Sequence, residues 1–488
     1  MRGWGDMRWN QWLLPAFFLL VVIALCRVSA LRDPVIDEFW TMLFTEPNRT
    51  WSAGFAMWSG DTGHPPAYYA LMRALAGILP QSVLFGRLAN LLPLGLFLAL
   101  ASAQRGREHR RFAFHFCLAL LPGFFVVEYF AEQRAYFAAL MVLASLVLVL
   151  RGDFVPVPSR RRTLGAALLA CTLAALNYTQ FLAGVAVLGG CVVAHCRGRR
   201  RQAALGTLLV LACGLLVMIA CLRNGARFET VPSPYRIDMA GFGRDLAMVI
   251  ALACLANPLL TIRTLRRPAH DGDGAGGFAF AMALGLLFAV LGYTLVNLAT
   301  HVLIERHVIA LGVLVAALLA ALVQDRLGEK SYWPHALVVT ALASLSVACL
   351  TVAGQRNFTQ AVPHLVARQK ACPQTRIFAL DPSVLGPPPQ SANARQRVAA
   401  IASGYAWTQA HRTLKLEPPG APRTFPEECG GAVWMAHLHL APDTDPRDIL
   451  EKLGFRLAAW QAHSARLMAF PDTVIIAVPG RARSRELR

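Results

Sequence analysis

Three short stretches of this chain gather residues that can bind charge or move a proton. "DPVIDEFW" carries Asp37 and Glu38, "DTGHPPAYYALMR" carries Asp61, His64 and Arg73, and "EYFAEQRAYF" carries Glu128, Glu132, Arg134 and Tyr136. Arg87, in "GRLAN", and Arg306, in "THVLIERH", add guanidinium groups from distant positions. A carboxylate can take the proton of an attacking hydroxyl, and a second one beside it can orient it or hold a cation. A guanidinium offers a planar fork that matches phosphate oxygens and stays charged near lipid. Together these residue types suit an anionic substrate and a proton acceptor.

Each stretch also has a plainer reading. Asp37 and Glu38 can be a solvated loop pair. His64-Pro65-Pro66 can be a rigid turn that starts a helix, because Pro is tolerated at the first helical position and pushes the residue before it to extended geometry. Glu132 and Arg134 can be an ion pair near a helix end. The surroundings favour function. The chain has 488 residues, 56% hydrophobic and only 15% charged, too little polar material to cover a soluble globule of that length. Ionisable groups near hydrocarbon are costly unless they line a wet cavity or bind something charged.

The elements that must position these residues are membrane helices. Apolar runs near the length needed to cross roughly 30 Å of hydrocarbon recur from 12–30 to 335–353, and predict an α-helical polytopic membrane protein with about eleven transmembrane helices. The first run follows Arg2 and Arg8. It is longer than the apolar region of a signal peptide, and "RVSALRD" forms a poor cleavage site, so it reads as the first span. With the N-terminus in the cytoplasm, the inner loops "QRGREHRR", "RGDFVPVPSRRR", "RGRRRQ", "TIRTLRRP" and "QDRLGEK" hold most of the basic residues between spans. Lys and Arg favour the cytoplasmic side, so the three polar stretches face outward. The same loops, lying against anionic headgroups, account for much of the net charge of +19, and nucleic acid is not an expected partner.

The chain divides into a membrane body, 1–353, with a long first outer loop at 31–80, and an outward domain at 354–488. In the loop, Tyr68, Leu71, Leu75 and Ile78 recur at helical spacing and predict a short interfacial helix. The outward part reads as a small α/β domain: "TRIFAL", "GAVWMAHL" and "VIIAV" as strands, "DPRDILEKLGF" as a helix and "LGPPPQSANARQ" as a loop. Of eleven cysteines, those inside apolar runs, such as Cys117 and Cys213, act as small hydrophobes. Cys372 and Cys429 fall in the outward domain, where an oxidising compartment lets them pair. Tyr405, Trp407 and Trp434 can stack on a sugar or build a core.

Taken in order, "DEFW", "HPPAYYALMR", "RLAN", "EQRAY" and "ERHVIAL" resemble the acidic first-loop motif, "HPPLYY", "RLPS", "EARpY" and "RYllpl" of polytopic GT-C glycosyltransferases. The group they are most similar to is glycosyltransferase family 39, which resembles protein mannosyltransferases and lipid A aminoarabinose transferases. The match covers scattered islands of the membrane body. His307 stands where the family often has Tyr, and Ala89-Asn90 replaces Pro-Ser.

The resemblance implies transfer of a sugar from a polyprenyl-phosphate donor to an acceptor glycan, lipid or protein on the periplasmic face of a bacterial inner membrane, without nucleotide sugars. Asp37 is then the expected base, helped by Glu38. Arg134 and Arg306 are expected at the lipid phosphate, Arg73 and Arg87 behind them, and Asp61, His64, Glu132 and Tyr136 along the substrate. A single displacement would invert the sugar.

No cofactor is certain from the sequence, and a divalent metal remains open. His301, Glu305 and His307 share one outer loop, His301 and Glu305 at helical spacing, and imidazole with carboxylate suits Zn²⁺ or Mn²⁺. The alternative from another class is a transporter or flippase of lipid-linked saccharides. Such proteins place charges mid-span and use paired repeats with broken helices, whereas here the charges collect at the outer rim.

Overall fold

Long runs of Leu, Ala, Val and Phe close every backbone hydrogen bond within one segment when they coil into helices, which is what a hydrocarbon solvent demands. A computed structural model of the chain describes residues 5–58, 65–154, 159–223, 238–266, 275–301, 303–324, 333–355, 357–381, 392–426, 428–436, 445–455, 465–469 and 473–477. It forms two compact units. The first comprises Met1–Arg32 and Phe44–Gly354, the second Asp33–Leu43 and Gln355–Arg488.

The first unit is a polytopic helical membrane body. Among the described residues, six helices are long and apolar enough to cross a membrane: Leu13–Leu31, Val83–Ser102, Tyr178–Arg197, Arg201–Arg223, Gly276–Thr300 and Pro334–Gly354. Two further candidates are bent pairs, Glu108–Leu120 with Phe124–Phe130 at 75° and Met239–Leu255 with Pro258–Leu265 at 98°, which raise the number to eight. By length and composition alone, six to eight segments among the described residues qualify as spans, beside the eleven or so apolar runs of the sequence. The runs at 112–127 and 244–262 fold as the two bent pairs, broken at Pro122-Gly123 and Asn257-Pro258, and the remaining three runs form the shorter helices Ala135–Arg151, Arg160–Leu176 and Ala310–Val323.

A sharp break inside an apolar body frees carbonyls that lipid cannot satisfy. At the 98° bend, side chains take that role. Thr261 Oγ1 donates to the Cys254 carbonyl at 2.7 Å and Ser344 Oγ to that of Leu255 at 3.3 Å. The Asn257 amide donates to the carbonyls of Leu118 (3.4 Å) and Leu337 (3.2 Å), while its oxygen accepts from the Leu260 N–H. Elsewhere small residues let helices touch. A Cβ on Gly190 of the Tyr178–Arg197 helix would fall on the backbone of Ala281 and Gly285 in the Ala275–Thr300 helix, and one on Gly285 would crowd the backbone of Val187.

The second unit contains a four-stranded sheet: β1 (Arg376–Ala379), β2 (Gly431–Met435), β3 (Ala465–Ala469) and β4 (Thr473–Ala477), in the order β1-β2-β4-β3. β1 and β2 pair in parallel, the other two pairs antiparallel. A parallel pair needs a crossover, and the Ala392–His411 helix lies on it. Phe378, Val433, Met435 and Ile475 pack with Phe425, Leu450 and Phe455 as its core.

The "TRIFAL", "GAVWMAHL" and "VIIAV" strands form, and the "DPRDILEKLGF" helix runs over Pro446–Lys452, capped by Asp445, which accepts from the Arg447 N–H at 2.9 Å. The "LGPPPQSANARQ" segment is helical from Ala392 onward rather than a loop, its 385–391 portion lying outside the described residues. Cys372 and Cys429 are joined as a disulfide, with Cα atoms 5.7 Å apart.

Asp33–Leu43, assigned by linear reading to the first outer loop, belongs to this second unit. Phe39 packs edge-on against Phe358 at 5.4 Å and near Trp407 at 6.2 Å. Asp33 accepts hydrogen bonds from Thr359 and, at 2.5 Å, from Arg412.

Candidate active site

In the membrane body the charged residues meet at one turn. The Phe124–Phe130 helix closes with the Ala131 N–H donating to the Val127 carbonyl at 3.3 Å, residues 132–134 form a bend, and the Ala135–Arg151 helix starts with Arg134 at its N-cap in extended geometry (φ −143°, ψ 159°). A helix that ends inside a protein leaves its last carbonyls in need of donors. Arg32 Nη1 donates to the Glu128 carbonyl at 2.6 Å, and the Asn90 amide donates to those of Phe130 (3.1 Å) and Glu132 (3.0 Å). Gln133 lies flat against Gly86, where any Cβ would overlap it. The Arg32 guanidinium pairs with the carboxylates of Glu128 at 3.5 Å and Glu132 at 3.7 Å.

Glu132, Arg134 and Tyr136 are therefore brought together, all buried, with the Tyr136 ring 5.1 Å from that of Tyr129. Arg306 sits on the Glu305–Val308 helix, and Tyr129 is within electrostatic reach of Glu128, Glu132 and Glu305.

Arg87 and Arg73 are engaged with backbone. Arg87, 2% exposed, donates to the carbonyls of Ser29 (2.7 Å) and Arg32 (2.8 Å), closing the end of the first helix. Arg73 donates to the carbonyls of Glu46, Pro47 and Arg49 and lies 5.0 Å over the Trp51 ring, which fastens the 44–58 segment. The helix predicted around Tyr68 runs from Ala67 to Ala76, but its buried residues are Tyr68, Tyr69, Met72 and Arg73, while Leu71 and Ile78 are exposed. Tyr69 meets Phe44 at 5.1 Å, and Trp58 Nε1 donates to the Phe44 carbonyl at 2.9 Å, so aromatic contacts choose the face. Asp61 and His64 lie outside the described residues.

In the second unit, Asp37 and Glu38 occupy the first turn of the Ile36–Phe44 helix. Negative charge is favourable there. Glu38 is fully buried and its Oε2 accepts from the Val35 N–H at 3.0 Å, capping its own helix. Asp37 is half-buried. The two neighbouring acids thus differ: one secures the helix start, and the other keeps part of its surface in solvent.

The His301, Glu305 and His307 metal set does not assemble. The preceding helix ends at Thr300, His301 turns to a positive φ of 55°, and Glu305 begins a new helix, so the two lose the shared helical face that their spacing suggested. His307 Nδ1 accepts from the Ile304 N–H at 3.1 Å. Among the described residues no group of three His, Cys, Asp or Glu side chains is arranged to hold a metal.

Tyr405 and Trp434 are core residues, the Tyr405 hydroxyl donating to the Leu380 carbonyl at 3.0 Å. Trp407 is half-buried with His411 stacked on it at 4.6 Å. Arg32 and Asp33 are not among the site residues expected from sequence, although the charged pair in "LRDP", which overlaps the acidic motif, was a usable signal for both; Asn90 enters there only as a departure from the resembled pattern.

Among solved structures, the chain is similar to ArnT from Cupriavidus metallidurans bound to undecaprenyl phosphate, with a TM-score of 0.50 and 12% identity, covering 94% of this chain and 97% of that one. The apo state of the same protein aligns with a TM-score of 0.47 at 12% identity, over 96% and 98% of the two chains. The likeness shows the fold alone: a polytopic helical membrane architecture. No family model and no curated protein matches the chain.

Proposed function

We propose that the chain is an integral-membrane glycosyltransferase that moves a sugar from a polyprenyl-phosphate donor to an acceptor glycan, lipid or protein. The observation that carries this reading is the buried turn at 131–134, which ends a bent apolar helix with Arg134 at the start of the next, in a fold shared with a protein bound to undecaprenyl phosphate. A guanidinium at such a position suits a lipid phosphate, whose charge grows as the bond to the sugar breaks.

In the proposed reaction the acceptor hydroxyl attacks the anomeric carbon and gives its proton to Asp37. The bond between that carbon and the phosphate oxygen breaks, and its electron pair stays on the phosphate. Arg134 and Arg306 neutralise the departing group. Glu38 orients the helix start that carries Asp37; Glu132, Tyr136, Asp61 and His64 serve the sugar and phosphate, and Arg73 and Arg87 hold the segments around them. A single displacement inverts the sugar. The N-terminus is cytoplasmic, and the domain at 354–488 lies on the periplasmic side of a bacterial inner membrane, where the acceptor is met.

Membranes containing the protein, supplied with labelled polyprenyl-phosphate sugars, test the reading. Wild type should label an acceptor, and Asp37→Asn should lower the rate by about a hundredfold or more. Undiminished labelling by a well-expressed Asp37→Asn variant removes Asp37 from the base role. The two sharply bent helix pairs favour a second reading, transport of a lipid-linked saccharide, since broken helices are a transporter feature. Movement of labelled lipid across a vesicle membrane, with no acceptor labelled, would select it.

A further inference from the structure

We infer that Asn90 is a positioning residue for Arg134: its side-chain amide holds the carbonyl to which the Arg134 backbone is itself bonded. This rests on the lipid-phosphate role of Arg134 given above. Asn90 is 2% exposed and sits at the interruption between the Val83–Leu88 and Leu91–Ser102 helices. Its Nδ2 reaches three carbonyls of one segment: Tyr129 at 3.4 Å, Phe130 at 3.1 Å and Glu132 at 3.0 Å. The Glu132 carbonyl also accepts the Arg134 N–H at 3.0 Å. One oxygen, with its two lone pairs, therefore links the Asn90 amide to the Arg134 backbone.

The geometry is selective for an amide. Two N–H groups on one planar nitrogen can serve neighbouring carbonyls at once, whereas a serine hydroxyl has a single hydrogen and a shorter reach. The sequence pattern that this chain resembles has Ser at this place, so the chain carries an additional donor where its turn has carbonyls to satisfy. Arg32 steadies the same segment, but through charge, by pairing with Glu128 and Glu132. Asn90 is neutral and can be changed without altering the charge around Arg134. Positioning matters at this scale because a displacement of about 1 Å in a charge-binding group can cost up to a hundredfold in rate.

The test is binding of undecaprenyl phosphate to the full-length protein in lipid nanodiscs, with uncharged undecaprenol as control. Asn90→Ala should weaken undecaprenyl phosphate binding by about tenfold, a hydrogen-bonded charge's worth, and leave undecaprenol binding unchanged. Asn90→Ser should fall between Asn90→Ala and wild type. In the Arg134→Ala background, adding Asn90→Ala should cost nothing further, because the group it positions is gone.

If Arg134→Ala weakens binding but Asn90→Ala does not, or if the two losses add in full, the inference is overturned. Weaker binding of undecaprenol by the same factor would also overturn it, as would failure of both Asn90 variants to fold, since each assigns Asn90 to the fold alone. If instead Arg134→Ala binds undecaprenyl phosphate as wild type does, the lipid-phosphate reading of Arg134 fails, and this inference fails with it.

Discussion

The Arg32 guanidinium lies 3.5 Å from the carboxylate of Glu128, a residue 96 positions further along the chain, and one of its nitrogens also donates to the Glu128 backbone carbonyl at 2.6 Å. With Glu132 at 3.7 Å, one buried arginine serves two acids at the end of the bent helix. Removing one member of a buried ion network leaves charge without its compensation, which costs about 3–5 kcal/mol. Arg32→Ala should therefore lower the melting temperature of the detergent-solubilised protein by many degrees. Arg32→Lys keeps the charge but loses the fork, and should lie between. An Arg32→Ala protein that melts like wild type would show that the pairing carries no stability.

The disulfide between Cys372 and Cys429 spans 57 residues of the second unit. Closing a loop of that size restricts the unfolded chain and is worth about 2–4 kcal/mol. Limited proteolysis of the full-length protein should cut the 355–488 region faster after reduction. Cys372→Ser with Cys429→Ser should match the reduced wild type. If reduction leaves the cleavage rate unchanged, the bridge does not stabilise the unit.

Local signals reached some of this architecture and missed the rest for a definite reason. The strands at 376–379 and 473–477 are apolar, β-branched or aromatic runs, and Asp445 announces the Pro446–Lys452 helix, so neighbours in sequence suffice to find them. Glu132 and Arg134 stand out because charge next to apolar runs is expensive. The "LRDP" pair marks Arg32 as a charge beside an apolar run, but the carbonyls that Arg32 and Asn90 hold come to them across long separations, and no local pattern encodes those partners. The two helix breaks were readable. Pro122-Gly123 and Asn257-Pro258 are turn signals, overridden in a hydropathy reading by the apolar residues on both sides. His301 shows the opposite error: a spacing that looks helical is void when the helix ends one residue earlier.

Within the second unit, Asp33 is buried and accepts from Thr359 and Arg412, while the Arg412 side chain is 37% exposed. Solvent screens the arginine, so the loss on Asp33→Ala comes mainly from the hydrogen bonds and amounts to about 1–3 kcal/mol. Thr359→Val should lose roughly half as much. The measurement is protease susceptibility of the 355–488 region in the intact protein. Equal resistance in Asp33→Ala and wild type would mean that the aromatic contacts and the hydrogen bond from the Phe358 N–H to the Pro34 carbonyl hold the 33–43 segment without the Asp33 carboxylate.

Gly190 tests how closely the membrane helices are packed. A Cβ placed there would fall on the Ala281 carbonyl oxygen and 2.8 Å from the Gly285 nitrogen, both backbone atoms that cannot swing aside. Gly189, one position earlier, would meet only the Phe288 ring at 3.5 Å, an ordinary contact. Gly190→Ala must push two helices apart, and overpacking of that kind costs about 1–3 kcal/mol. Gly189→Ala, with the same gain in helix propensity, should be neutral or slightly stabilising. Because the two variants share composition, helix and membrane depth, a thermal melt that separates them isolates the close approach itself; identical melting temperatures would show that the helices yield without cost.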